Sequence, residues 1–193
     1  MKKFTIILSL ALFAACKKDS GITQTDAIPQ GSSNNQLFGK TPVTRPFGAS
    51  LYSSIDPDPS IPPTPCTGDL PGLANPGHFM HGQVTHLGEL NWEQSRLQDV
   101  SCNLSFATMQ LTTSISGQFA AANGDVIYYT GNDVFDVTNL IFQSGTTGTM
   151  QGTWTITGGT GRFAGATGSF TINGTVSFIT FTFSFEAVGT ITY

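Results

Sequence analysis

Between residues 148 and 178 apolar and polar positions alternate almost without a break, apart from one glycine-rich corner. Met150, Gly152, Trp154 and Ile156 fall on one side of an extended chain, with Thr149, Gln151, Thr153, Thr155 and Thr157 on the other. Beyond the corner, Phe170, Ile172, Gly174, Val176 and Phe178 alternate with Ser169, Thr171, Asn173, Thr175 and Ser177. Successive strand side chains point to opposite faces, so the pattern predicts an antiparallel hairpin buried on one face only.

The same period recurs on both sides of this hairpin. Leu111, Thr113, Ile115, Gly117, Phe119 and Ala121 form one inward set, with Thr112, Ser114, Ser116 and Gln118 outward. Asn123-Gly124 then predicts a tight turn, because both residues tolerate positive φ. The last segment places Phe181, Phe183, Phe185, Ala187, Gly189, Ile191 and Tyr193 on one face, and Thr182, Ser184, Glu186, Thr190 and Thr192 on the other. Shorter strands are expected at 79–87, 97–106, 126–130 and 134–142, the second of them less regular. No segment of useful length carries the helix period. About eight short strands joined by glycine turns predict an all-β fold, a small antiparallel barrel, closed or nearly closed; a two-sheet sandwich is the alternative. Small inward residues (Gly117, Gly152, Gly174) beside Trp154 suit the curvature of a small barrel.

The N-terminus reads as a targeting segment. Lys2 and Lys3 precede an apolar run from 4 to 15 that is too short to span a bilayer, which takes about 20 residues. Leu12-Phe13-Ala14-Ala15-Cys16 resembles a bacterial lipobox, with residues 1–15 as signal peptide and Cys16 as the lipidated residue. Acylation implies a membrane partner through the lipid anchor and an envelope location, with the outer membrane expected. Cys16-Lys17-Lys18-Asp19 also resembles the short charged tags of some surface lipoproteins, although it does not choose a leaflet. Residues 16–65 hold eight of the ten prolines and read as a tether, within which Phe47, Leu51 and Tyr52 are candidates to dock transiently. The barrel domain is expected over 66–193.

Outside the cytoplasm, the two remaining cysteines, Cys66 and Cys102, are expected to form a disulfide. Charge removes one class of partner. Over 66–193 the basic residues are Arg96 and Arg162, two against eight acids, a balance of −6. Phosphate contacts need clustered Lys and Arg, so nucleic acid is excluded as a partner.

The corner Gly158-Gly159-Thr160-Gly161-Arg162-Phe163-Ala164-Gly165-Ala166-Thr167-Gly168 resembles that of the allene oxide cyclase and dirigent barrels, with their Gly-Gly-Ser/Thr-Gly-x-Phe core. Thr85-His86-Leu87-Gly88 and Ala121-Ala122-Asn123-Gly124-Asp125 resemble further segments of bacterial exported proteins of this barrel type. The resemblance implies an eight-stranded barrel and, from the plant families, a homo-oligomer, often a trimer. Its motifs are structural, a set of turns and one core phenylalanine. No segment matches the cyclases' catalytic pattern, so the resemblance supplies no catalytic residue.

Candidate chemistry is sparse. On a strand His81 faces away from both His78 and His86, so no metal site is expected, and no cofactor. There is no Gly-x-Ser-x-Gly elbow. Asp133 and Asp136 would diverge on a strand, which argues against a glycosidase-like pair. Asn123-Gly124-Asp125 lacks the ligand series of a calcium loop. Arg162, Glu186 and His86 remain as functional candidates. Glu186 falls on the Thr/Ser face, where a surface role is expected; an inward Glu186 would instead favour acid–base chemistry.

The sequence therefore predicts an envelope lipoprotein displaying a small β-barrel as a non-catalytic binding or interaction module, with a small apolar ligand as one partner. A cyclase- or isomerase-like enzyme on the same barrel is the alternative. An integral outer-membrane barrel is a second, and it requires the apolar face to point outwards.

Overall fold

The computed structural model describes residues 41–58, 60–70, 72–142 and 145–193. The signal segment, Cys16 and the tether as far as residue 40 lie outside the described residues. In chain order the elements are β1 (Thr44–Ile55), β2 (Thr64–Gly68), β3 (Ala74–Asn75), β4 (His78–Val84), β5 (Gly88–Glu89), β6 (Arg96–Ser105), β7 (Gln110–Ala120), β8 (Val126–Asp136), α1 (Thr138–Ile141), β9 (Thr147–Gly159), β10 (Thr167–Ser177) and β11 (Thr182–Thr192).

The protein is all-β. A continuous antiparallel ladder runs β6-β7-β8-β9-β10-β11-β1-β4 and returns to β6, a ring of eight strands. The closing seam is short, with His78 opposite Leu97 and Phe79 opposite Arg96. Two further contacts reinforce it: the Met80 amide donates to the Ser95 carbonyl at 2.8 Å, and Arg96 pairs with the buried Asp56 at 2.7 Å. The result is a nearly closed barrel.

Its interior is the apolar half of every strand. Trp154 is fully buried at the centre and stacks on Tyr129, with ring centroids 4.8 Å apart, beside Phe119, Phe170 and Phe185. The Thr/Ser half of β9, β10 and β11 faces out. A lipid-facing band needs the opposite polarity.

The tether expectation is corrected over its second half. Residues 44–55 are not a spacer but strand β1, inserted between β11 and β4. Phe47, Ala49 and Leu51 alternate into the core, while Pro46, Ser50 and Tyr52 do not. The apolar face of β1 has only three such residues before the polar Ser53, which hid its period among prolines and serines. Residues 64–68, also assigned to the tether in part, form β2, which lies parallel to β6.

Two other boundaries shift. The strands expected at 126–130 and 134–142 are one strand, β8, followed by the short helix α1. Phe181 does not begin the last strand; it sits in the β10–β11 turn with φ of 52°. In β6 the irregularity is a bulge between Asp99 and Ser101, which switches the inward set from Leu97 and Asp99 to Cys102 and Leu104.

Candidate functional site

At one end of the barrel the core does not fill the space between the strands. A cavity of about 260 Å³ opens there. Its wall comes from strand ends: Leu104 of β6, Leu111 of β7, Phe135 of β8, Val176 of β10 and Phe183 of β11. Its rim comes from the connections, with Phe178 and Phe181 on one side and Leu140 of α1 on another. Leu70 and Leu73, from the β2–β3 hairpin, cover a third side.

That hairpin is held in place by chemistry the sequence did suggest. Cys66 and Cys102 form a disulfide that ties β2 to β6. The Asp69 amide donates to the Leu104 carbonyl at 2.9 Å, and the Phe106 amide donates to the Asp69 carboxylate at 2.6 Å. The covalent link and these bonds fix one wall of the cavity.

Among the described residues, two polar side chains line the space, Asn75 and His78. His78 is buried beside the Phe183 ring at 4.8 Å, and its Nδ1 has no hydrogen-bond partner among the described residues. Burial pulls its pKa down to about 4 against a weaker opposing pull from Asp56, so the imidazole is neutral at ordinary pH. The Asn75 amide donates to the Asp99 carboxylate, which lies behind it and does not line the cavity.

Asp99 begins a second feature. It and Asp133 are carboxylates buried inside the barrel, on β6 and β8, with β7 between them. Burial raises Asp99 to about 6, partly offset by Asn75 and by Thr113. The Thr113 hydroxyl nevertheless makes no hydrogen bond of good geometry. Burial raises Asp133 to about 7; the Trp154 bond lowers it, and the Asp99 charge raises it again. Sequence reasoning missed this pair because alternation reads a polar residue as outward. The one available signal lay at Asp133, which keeps the parity of Ile127, Tyr129 and Phe135.

The sequence candidates sit elsewhere. Arg162 and His86 meet at the opposite end of the barrel, beside the glycine corner. The Arg162 guanidinium donates to the His86 carbonyl, pairs with Asp125 at 3.4 Å, and covers the Phe163 ring at 4.9 Å. His86 Nε2 lies 2.9 Å from the Pro46 carbonyl oxygen. This arrangement clasps three connections, and each of these contacts is made to protein.

The corner itself turns through Gly158, Gly161, Gly165 and Gly168, all at positive φ, around the fully buried Phe163. At the β7–β8 turn only Gly124 takes the left-handed region, with φ of 87°, while the Asn123 side chain accepts from the Asp125 amide at 3.1 Å.

Glu186 lies on the exposed face of β11, where the Ser50 hydroxyl donates to it at 2.6 Å. Asp136 is exposed at the end of β8 and caps the Thr138 amide, far in character from the buried Asp133. His81 faces outward between Tyr52 and Trp92. Among the described residues no group of three or more His, Cys, Asp or Glu is placed to hold a metal ion. No family model, curated protein or solved structure matches this chain.

Proposed function

We propose that this chain is an envelope lipoprotein, anchored through Cys16, whose barrel is a non-catalytic module that binds one small apolar molecule in its end cavity. The observation that carries this reading is the cavity itself: about 260 Å³, walled by aliphatic and aromatic side chains and bounded by a disulfide-pinned hairpin. That volume lies just under the roughly 300–1,000 Å³ of common ligand pockets, which favours a ligand of a few carbons or a single ring. Among the described residues the one titratable side chain lining it is His78, uncharged and with no partner at Nδ1, which suits one hydrogen bond to an otherwise apolar guest. Acid–base chemistry on that guest has less support, because no carboxylate is among the described residues lining the cavity and the Asp99 carboxylate is engaged by Asn75.

The likeness of the glycine corner to allene oxide cyclase and dirigent barrels supports the same architecture, and that corner lies at the end away from the cavity. We test the reading by thermal denaturation with a series of alkylbenzenes from benzene to butylbenzene. A guest that fits raises the Tm of the full chain and leaves Leu111→Trp, which fills the cavity, unmoved. Equal shifts in both proteins, or none in either, would overturn it. Labelling with a radioactive fatty acid, lost in Cys16→Ser, tests the anchor separately.

A further inference from the structure

A second, independent site lies on the outer wall. Three neighbouring strands place six outward side chains in a grid: Asn173 and Thr175 on β10, Ser184 and Glu186 on β11, and Ser50 and Tyr52 on β1. In register, Asn173 faces Glu186 and Glu186 faces Ser50, while Thr175 faces Ser184 and Ser184 faces Tyr52. They surround an open groove of about 390 Å³.

Tyr52 is the wall of this groove. It is 56% exposed, unusual for so large a ring. It is nonetheless held rigidly. On the β4 side it lies parallel to His81, 4.8 Å away and 7° from coplanar, and His81 stacks in turn on Trp92 at 5.4 Å. His81 Nε2 is fixed by the Ser54 hydroxyl at 2.8 Å, and Trp92 meets Phe79 edge-on at 5.3 Å. One ring face of Tyr52 is thus occupied by the stack. The other turns towards β11 and the groove.

The remaining side chains supply hydrogen bonds and almost no charge. Ser50 donates to Glu186 Oε1, and the Thr175 and Ser184 hydroxyls lie 3.3 Å apart. Among the described residues Glu186 has no cationic partner and the Asn173 side chain no hydrogen bond. A rigid aromatic face beside a carboxylate, an amide and hydroxyls is the chemistry that recognises a sugar ring. Ring C–H groups carry partial positive charge and meet the negative π face, while hydroxyls along the ring edge find both acceptors and donors. The Glu186 carboxylate disfavours phosphates and uronates by repulsion.

We propose that this groove binds a neutral pyranose unit of a glycan, stacked on Tyr52 and held at its hydroxyls by Asn173 and Glu186.

The test is titration calorimetry of the full chain against neutral hexasaccharides of glucose, xylose, mannose and N-acetylglucosamine, with polygalacturonate as the charged control. At least one neutral oligosaccharide is expected to bind. Tyr52→Ala should weaken it at least tenfold with the Tm retained, Tyr52→Phe should bind within about threefold of the parent because the ring persists, and Glu186→Gln should weaken it several-fold. Leu111→Trp should bind as the parent does, since the groove is separate from the end cavity. Binding of none of the neutral sugars, binding unchanged in Tyr52→Ala, or binding of polygalacturonate alone would overturn the proposal.

Discussion

The indole Nε1 of Trp154 donates to Asp133 Oδ1 at 2.6 Å in the sealed interior of the barrel. Both residues are buried almost completely, so the largest side chain of the core and a buried carboxylate satisfy each other. A lone indole N–H or a lone carboxylate in that position would each cost free energy, the second much more than the first. The bond does not remove the cost of charge. Burial outweighs the hydrogen bond and pushes the Asp133 carboxyl up to about 7.

That cost has a sign. A carboxyl raised from 3.8 to about 7 holds its proton in the folded state at pH values where the unfolded chain has lost it. Its contribution is therefore fully present below 3.8 and is lost as pH rises through about 7. Asn at 133 keeps an oxygen for Trp154 and cannot ionise. Asp133→Asn is expected to be more stable than the parent at pH 8, by up to about 4 kcal/mol at roughly 1.4 kcal/mol per pH unit, with the difference fading towards pH 4. Urea unfolding at both pH values measures it; a variant less stable at pH 8 would show that the carboxylate is not strained there.

His78 pulls the other way. Its pKa falls from 6.5 to about 4 on burial, so the unfolded chain takes up a proton that the folded one refuses. This stability is present above 6.5 and is lost as pH falls towards about 4. The raised Asp99 and Asp133 carboxyls oppose it between about pH 4 and pH 6 and together outweigh it, so the parent should lose stability as pH rises from 4 to 7. In His78→Phe the opposing gain is absent, so the loss between pH 4 and pH 6.5 should be steeper than in the parent, as read from Tm across pH 4 to pH 8. Equal slopes in the two proteins would show that His78 is not held neutral by burial.

Loss of the Cys66–Cys102 bridge should be felt at the cavity as well as in stability. The bridge closes a loop of sequence separation 36. Removing such a cross-link costs about 4 kcal/mol in the chain-entropy account. Cys66→Ser with Cys102→Ser is expected to unfold at lower urea by about 2–4 kcal/mol. Amide exchange should rise first at Leu70 and Leu73, which the β2–β3 hairpin carries over the cavity.

The glycine corner offers an internal comparison. Gly161 and Gly165 both take positive φ, 56° and 74°. A methyl group at Gly161 would overlap the Asp125 carboxylate that pairs with Arg162, whereas one at Gly165 meets nothing within 4 Å. Gly165→Ala should therefore cost only the backbone term, about 1–2 kcal/mol. Gly161→Ala should cost clearly more, because it also displaces Asp125. Equal losses in chemical denaturation would mean that Asp125 moves aside freely.

Particular residues show how far the chain could be read in advance. β7, β9, β10 and β11 were legible because Ile115, Trp154, Phe170 and Phe185 recur at every second place with threonine and serine between them. β8 looked like two strands because its inward row includes Gly131 and Asp133, which break the apolar signal without breaking the strand. β1 was hidden by Pro46, Gly48 and a run of serines, and its place between β11 and β4 depends on partners far along the chain.

Alternation is a property of consecutive residues, so the linear order was enough to say which half of each segment seeks water and which avoids it. The end cavity, the buried Asp99 and Asp133, and the Tyr52 groove are made by residues that meet only after the ring closes. Their burial and their pKa values come from neighbours on other strands. Local order carries no trace of those neighbours, and the closed barrel alone brings them together.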